Sequence, residues 1–216
     1  MKNAYGLNIP YELADLCNPN TTAVVIYDLQ VGIVPQIPAG KAIVEGCKAL
    51  LDQARGAGFR IFYTRHISLP NKSSGVAQLR RAMIWQRKDD PAATKSPFLP
   101  NAAGTQIVPE LQPHEDDVVI DKIAMSAFEG TYLNTALRDL GILAFVVAGI
   151  ALEVGIEPTV RHALDLNYIP IVISDLCGAR TPELHAHSIE TLKHTGEVFL
   201  TSSQEWLQSL KESRQG

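Results

Sequence analysis

The sequence is short of cysteine. Cys17, Cys47 and Cys177 are scattered over 216 residues, with no Cys-x-x-Cys pair and no regular framework spacing. That argues against a structural zinc site and against a disulfide-stapled secreted fold, and it predicts a reducing, cytoplasmic setting. Basic excess is also missing. Nineteen Lys and Arg stand against 23 Asp and Glu, a net charge of -4. Nothing in that balance favours nucleic acid or an anionic membrane surface as a partner. No apolar run approaches the ~18 residues of a membrane-spanning helix. The first residues lack the apolar core of a signal peptide and read as an N-terminal arm, residues 1–21. Internal repeats and low-complexity tracts are absent too.

What remains is ordinary globular composition, 46% hydrophobic and 19% charged, of a length that suits one α/β domain over residues 1–216. Apolar strands alternate with helical patterns. Strands are predicted at 22–29, 60–65, 118–121, 143–148, 168–174 and 197–201. Helices are predicted at 39–57, 134–140, 154–166, 182–194 and 203–210. The helix at 39–57 shows apolar residues at Ile43, Val44, Cys47, Leu50, Leu51 and Ala54, all on one face. Short links between alternating strands and helices predict a three-layer α/β/α fold with a mostly parallel six-stranded sheet. Runs such as "AFVVA" suit strands buried on both faces.

In such sheets ligands bind outside the carboxyl ends of the strands. Asp28, Arg65, Lys122, Gly149 and Asp175 all fall at or just past predicted strand ends. A carboxylate leaving a buried strand is a functional candidate, with a helix cap or a solvated strand end as the plainer alternative. Gln30 lies beside Asp28. Arg65 and His66 follow the second strand and are candidates for an anionic substrate. Residues 67–115 break the alternation and hold one predicted helix, 76–87, then Pro-rich coil. An insertion of this length reads as a lid or subunit contact, from which Gln78 and Arg87 are candidates to reach the pocket. Phe128 is a candidate pocket wall. Glu153 and Glu157 are either acid/base groups or carboxylates at a helix N-terminus. Cys177 reads better as a small buried residue than as a nucleophile. His162, His185, His187 and His194 show no metal-ligand spacing, so no metal and no cofactor are expected.

Three segments carry a family resemblance. Asp28 ends "AVVIYDLQ", Lys122 ends "DVVIDK", and "GIALEVGIEPTVRHA" reads as a strand end, a tight turn and a helix start. The segment "MSAFEGTYLNTALRDLGI" follows the lysine. Together they resemble the isochorismatase-like, or cysteine hydrolase, family over residues 22–201. The resemblance implies Asp28 as acid/base and Lys122 as its electrostatic partner. It implies a cis peptide at Ile150–Ala151 that turns backbone N–H groups toward the substrate. The family's nucleophilic Cys would stand where this chain has Gly155. The resemblance then points to the isochorismatase branch, in which water replaces the thiol, although the turn reads Glu-Val-Gly-Ile rather than His-Ile-Gly-Cys. It implies hydrolysis of a small anionic substrate, with enol-ether cleavage favoured. An amide or ester hydrolase using water, or an inactive binding homologue, is the alternative. A homodimer or homotetramer is expected.

Overall fold

The computed structural model describes residues 1–214. Six strands form one sheet in the order β5-β4-β3-β6-β7-β8, every neighbouring pair parallel. They are β3 (Thr22–Tyr27), β4 (Arg60–His66), β5 (Val118–Lys122), β6 (Ala144–Ile150), β7 (Ile169–Gly178) and β8 (Phe199–Thr201). The expected arm carries structure of its own, a short antiparallel hairpin of β1 (Lys2–Ala4) and β2 (Leu7–Ile9).

Strand alternation sorts the side chains into two cores. Val24 and Ile26 of β3 face α1 (Gly40–Gly56) and α6 (Ser203–Ser213), packing with Leu50, Leu51 and Trp206. Ala23, Val25 and Tyr27 face α3 (Leu133–Asp139), α4 (Glu157–Asp165) and α5 (Pro182–Thr195), packing with Leu133, Val160 and Leu192. Helices thus cover both faces, and burial of each such Val, Ile or Leu contributes about 1.5–3 kcal/mol. Among the described residues no helix is long and apolar enough to cross a membrane.

The chain leaves β3 toward β4 on one side and β6 toward β7 on the other. The crevice between the carboxyl ends of β3 and β6 is therefore the topological switch point, where open α/β sheets bind ligands. Gly149 is needed there: its φ is +135°, and a Cβ at this position would overlap the Tyr27 backbone. The insertion contributes α2 (Val76–Gln86) and irregular chain beside the same crevice.

Several boundaries differ from expectation, each for a local reason. Between Val147 and Gly149 the paired positions on β7 jump from Val172 to Cys177. This irregularity lets β7 continue to Gly178 rather than end near 174. It also carries Asp175 away from the crevice, where its carboxylate caps α6 through Ser203 N (2.7 Å) and Oγ (2.6 Å). The expected helix at 154–166 begins instead as a π-helical turn, Leu152–Ile156, before α4.

Candidate active site

Asp28 follows β3 with φ +47°, a left-handed conformation that Asp tolerates better than most residues. It is 5% exposed, and Lys122, at the end of β5, is 2% exposed. Lys122 Nζ donates to Asp28 Oδ2 at 2.7 Å. The other carboxylate oxygen, Oδ1, accepts from Thr64 Oγ1 at 2.6 Å. Thr64 Oγ1 in turn accepts the Asp28 backbone N–H at 3.2 Å. That N–H occupies a lone pair of the hydroxyl and turns its single proton toward Oδ1. Both Asp28 oxygens are therefore acceptors, the arrangement of a carboxylate ready to take a proton. Three strands supply this one pair, β3, β4 and β5.

The turn after β6 forms the opposite wall. Ile150–Ala151 is cis. The N–H groups of Gly155 and Ile156 both donate to Ala151 O, at 2.9 and 3.2 Å. They are therefore engaged within the turn rather than directed at a ligand. Gly155 lies against Tyr27: a Cβ at 155 would sit 2.5 Å from Tyr27 Cε1 and Cζ. The phenol is fully buried, donates to Met125 O, and has the Lys122 ammonium 4.4 Å from its ring centroid. Burial, and then the Asp28 charge, push the phenol well above its usual pKa, so it stays neutral.

Substituting Gly155→Cys is expected to lose about 1–3 kcal/mol through overpacking, measured by urea unfolding. Adding Tyr27→Ala should make room for the new side chain and expose it to thiol-labelling reagents. A single variant as stable as wild type would refute the steric argument.

A cavity of about 200 Å³ opens on this pair, lined among others by Tyr27, Asp28, His66, Met125, Ile150, Ala151, Gly155 and Arg180. Its walls are mainly apolar, from Ile33, Ile37, Val154, Trp85 and Phe98. A second cavity of about 430 Å³ adjoins it under α2. Gln36, His66, Trp85 and Phe98 line both.

His66 stands at this junction. Burial is the main cause holding its pKa down at about 4, helped by the charges of Lys122 and Arg81 and opposed by Asp28. The unfolded chain takes up this proton near pH 6.5, the folded chain only near 4. The stability due to neutral burial is thus full above about 6.5 and lost as pH falls toward 4. His66→Leu should show a smaller fall in urea midpoint than wild type between pH 7 and pH 4.5. Parallel curves for the two proteins would contradict this assignment.

Of the sequence candidates, the fold brings Asp28, Lys122, Gly155, Ile150, Ala151 and His66 to the smaller cavity or its wall, and Gln78 to the larger one. The others are placed elsewhere. Arg65 forms a bidentate pair with Asp121, at 2.7 and 2.9 Å, because the β4–β5 register sets the two side by side. Gln30 is buried and spent on the His66 backbone and Thr105 O. Phe128 stacks on Tyr168 in the core, with ring centroids 5.6 Å apart. Arg87 is an exposed left-handed cap of α2, with φ +52°. Glu153 Oε1 accepts from Arg180 N and Nε, each at 3.2 Å. Cys177 is buried in the core with its thiol pushed up by burial.

Sequence reasoning missed Arg180, Tyr27 and Thr64. Arg180 is a cation lining the smaller cavity. β7 runs to Gly178, past its predicted end at 174, so the strand-end rule that singled out Arg65 did not reach Arg180. Among the described residues no group of three His, Cys, Asp or Glu side chains is placed to hold a metal ion.

A three-layer α/β/α fold with a polar pair at the switch point and a small, largely apolar cavity beside it has the layout of an α/β enzyme that binds a small ligand at its strand ends. The isochorismatase domain family matches residues 22–204, and this chain belongs to that family of hydrolases. An uncharacterised isochorismatase family protein of Bacillus subtilis, YwoC, is 35% identical over 83% of this chain and 92% of its own. A probable inactive nicotinamidase of Arabidopsis thaliana is 29% identical over 88% and 96%. The ureidoacrylate amidohydrolase RutB of Acinetobacter baylyi is 25% identical over 91% and 86%. Among solved structures, a cysteine hydrolase from Pseudomonas syringae pv. phaseolicola superposes with a TM-score of 0.78 at 25% identity, covering 91% of this chain and 95% of that one.

Proposed function

We propose that this chain hydrolyses a small anionic organic substrate with water, through Asp28 as general acid/base and without a covalent thioester intermediate. One observation carries the reading. Asp28 and Lys122 form an intact buried pair, while the adjoining turn has Gly155 pressed against Tyr27, with no room for a nucleophilic side chain. The position where cysteine hydrolases carry their thiol is read here as glycine. No cysteine lines either cavity. Lys122 holds the carboxylate in place and offsets its charge. Arg180 is tied to Glu153 through N and Nε, which leaves its terminal guanidinium nitrogens to meet the substrate's anionic end in the smaller cavity.

The favoured scissile bond is an enol ether. Its cleavage needs a proton donor and a water molecule, and no side-chain nucleophile. A resonance-stabilised amide gains more from a thiolate, which this site does not offer. A second reading, amide or ureido hydrolysis by water, is supported by Asp28 accepting at both oxygens, the state of a base rather than an acid. The name of the RutB relative lends it further support.

The test is turnover of isochorismate, simpler enol ethers and a panel of small amides and ureido acids, with mass spectrometry of the protein during turnover. Enol-ether cleavage with no acylated protein supports the favoured bond. Amide cleavage with no acylated protein supports the second. An acylated protein, or no turnover of any of these compounds, rejects the mechanism proposed here.

A further inference from the structure

The larger cavity under α2 has a one-sided lining. Arg81 and Lys95 line it, and no Asp or Glu does. Neither cation takes part in a salt bridge among the described residues. Arg81 is half-buried and Lys95 is exposed. The Arg81 guanidinium lies 5.8 Å from the Trp85 ring centroid. The chain at Lys95 is pinned to α2 by Gln86, whose Nε2 donates to Lys95 O at 2.8 Å and whose Oε1 accepts Lys95 N–H at 2.9 Å.

Two further polar atoms belong to residues that line this cavity, His66 Nδ1 and Gln78 Oε1. Both are buried and neither has a protein partner. Buried polar atoms are as a rule hydrogen-bonded, so these two are left to find a partner when the side chains turn toward the cavity they line. His66 also lines the smaller cavity, and its proton affinity responds both to the Asp28–Lys122 pair and to Arg81. The two compartments therefore share one electrostatic field.

We infer that the substrate spans both cavities and carries a second anionic group, of the carboxylate class, which Arg81 and Lys95 bind in the larger cavity. His66 contacts the same ligand at the junction, and Gln78 does so once its amide turns toward the cavity. This assignment rests on the hydrolase reading above and narrows its substrate class to elongated acids with an anionic group remote from the bond that breaks.

Binding can be read without turnover. Of the two tryptophans, Trp206 is fully buried against Phe59 and lines neither cavity, while Trp85 lines both. Trp85 fluorescence therefore reports occupancy. Adipate and hexanoate are matched in chain length and differ in the second carboxylate. Wild type is expected to bind adipate at least about tenfold more tightly than hexanoate, since charge-assisted hydrogen bonds are the strong ones. The double variant R81M/K95Q should bind the two alike, while Arg80→Gln, outside both cavities, should keep the preference. Equal affinities in wild type, a preference that survives R81M/K95Q, or no response to millimolar adipate would each overturn the assignment. So would inorganic phosphate binding as tightly as adipate and displacing it, the behaviour of a general anion site. A protein that prefers adipate but turns over no substrate keeps this assignment and rejects the hydrolytic mechanism. Turnover without the preference does the reverse.

Discussion

Lys122→Met is expected to lose about 3–5 kcal/mol of stability in urea unfolding, because it leaves the Asp28 carboxylate buried without its counter-charge. The ammonium and carboxylate are both nearly inaccessible and 2.7 Å apart. Water in the neighbouring cavity reaches only the 5% exposed edge of Asp28 and supplies no counter-charge. Thr64 would still donate to Oδ1, but a single hydroxyl does not neutralise a charge. The companion variant separates the two contributions. In D28N/K122M both charges are gone, and most of the loss should be recovered, since replacing a buried ion pair by uncharged groups of similar volume is often close to neutral. A single variant that loses under about 1 kcal/mol would show the pair to be solvated and the site more open than described. A double variant no better than the single would assign the loss to packing around the Lys122 stem.

The second large effect is on rate. Asp28→Asn is expected to reduce turnover by about 10²–10⁴-fold, the usual contribution of a general acid or base. Asn keeps the shape of Asp, but its single oxygen can accept from only one of Thr64 and Lys122 and its NH2 faces the other, and it cannot take or give the proton that the hydrolysis needs. In the proposed mechanism Asp28 acts on the reacting atoms and the cavity wall holds the substrate, so the loss should fall mainly on kcat, with KM little changed. Loss confined to KM would recast Asp28 as a binding group. Retention of full turnover would move the acid/base role to another residue. Unfolding of the same sample in urea shows whether a changed rate reflects chemistry or a damaged fold.

Much of the architecture was readable because burial on both faces leaves a strong trace. A strand such as β3, with Thr22, Ala23, Val24, Val25, Ile26 and Tyr27 all buried, has no solvent side and reads as an unbroken apolar run. A charge that ends such a run, as Asp28 and Lys122 do, stands out against it. The boundaries that failed were those set by partners rather than by local pattern. The extension of β7 depends on an irregular register with β6, and the start of α4 on a π-helical turn.

The site was readable only in part, for a similar reason. Arg65 and Arg180 are each held by a carboxylate, Asp121 and Glu153, yet only Arg180 borders the smaller cavity. Parallel register sets Asp121 beside Arg65 and occupies it, whereas Arg180 lies past β7 where its side chain borders the cavity. Gln30 and Phe128 were chosen for chemistry and position, but hydrogen bonding to the His66 backbone and stacking on Tyr168 turn them inward.

By itself the sequence determined the layer order, the parallel sheet, the strand ends at which polar residues gather, and the absence of a side chain at position 155. Each of these follows from periodicity, or from the residue at one position. The tertiary structure alone decided which polar residues meet. It paired Lys122 with Asp28 across 94 positions. It also set Tyr27 into the space beside Gly155, and left Arg81 and Lys95 without acidic partners around a second cavity. Those outcomes depend on register, crossover and distance between strands far apart in the chain, which local patterning does not encode.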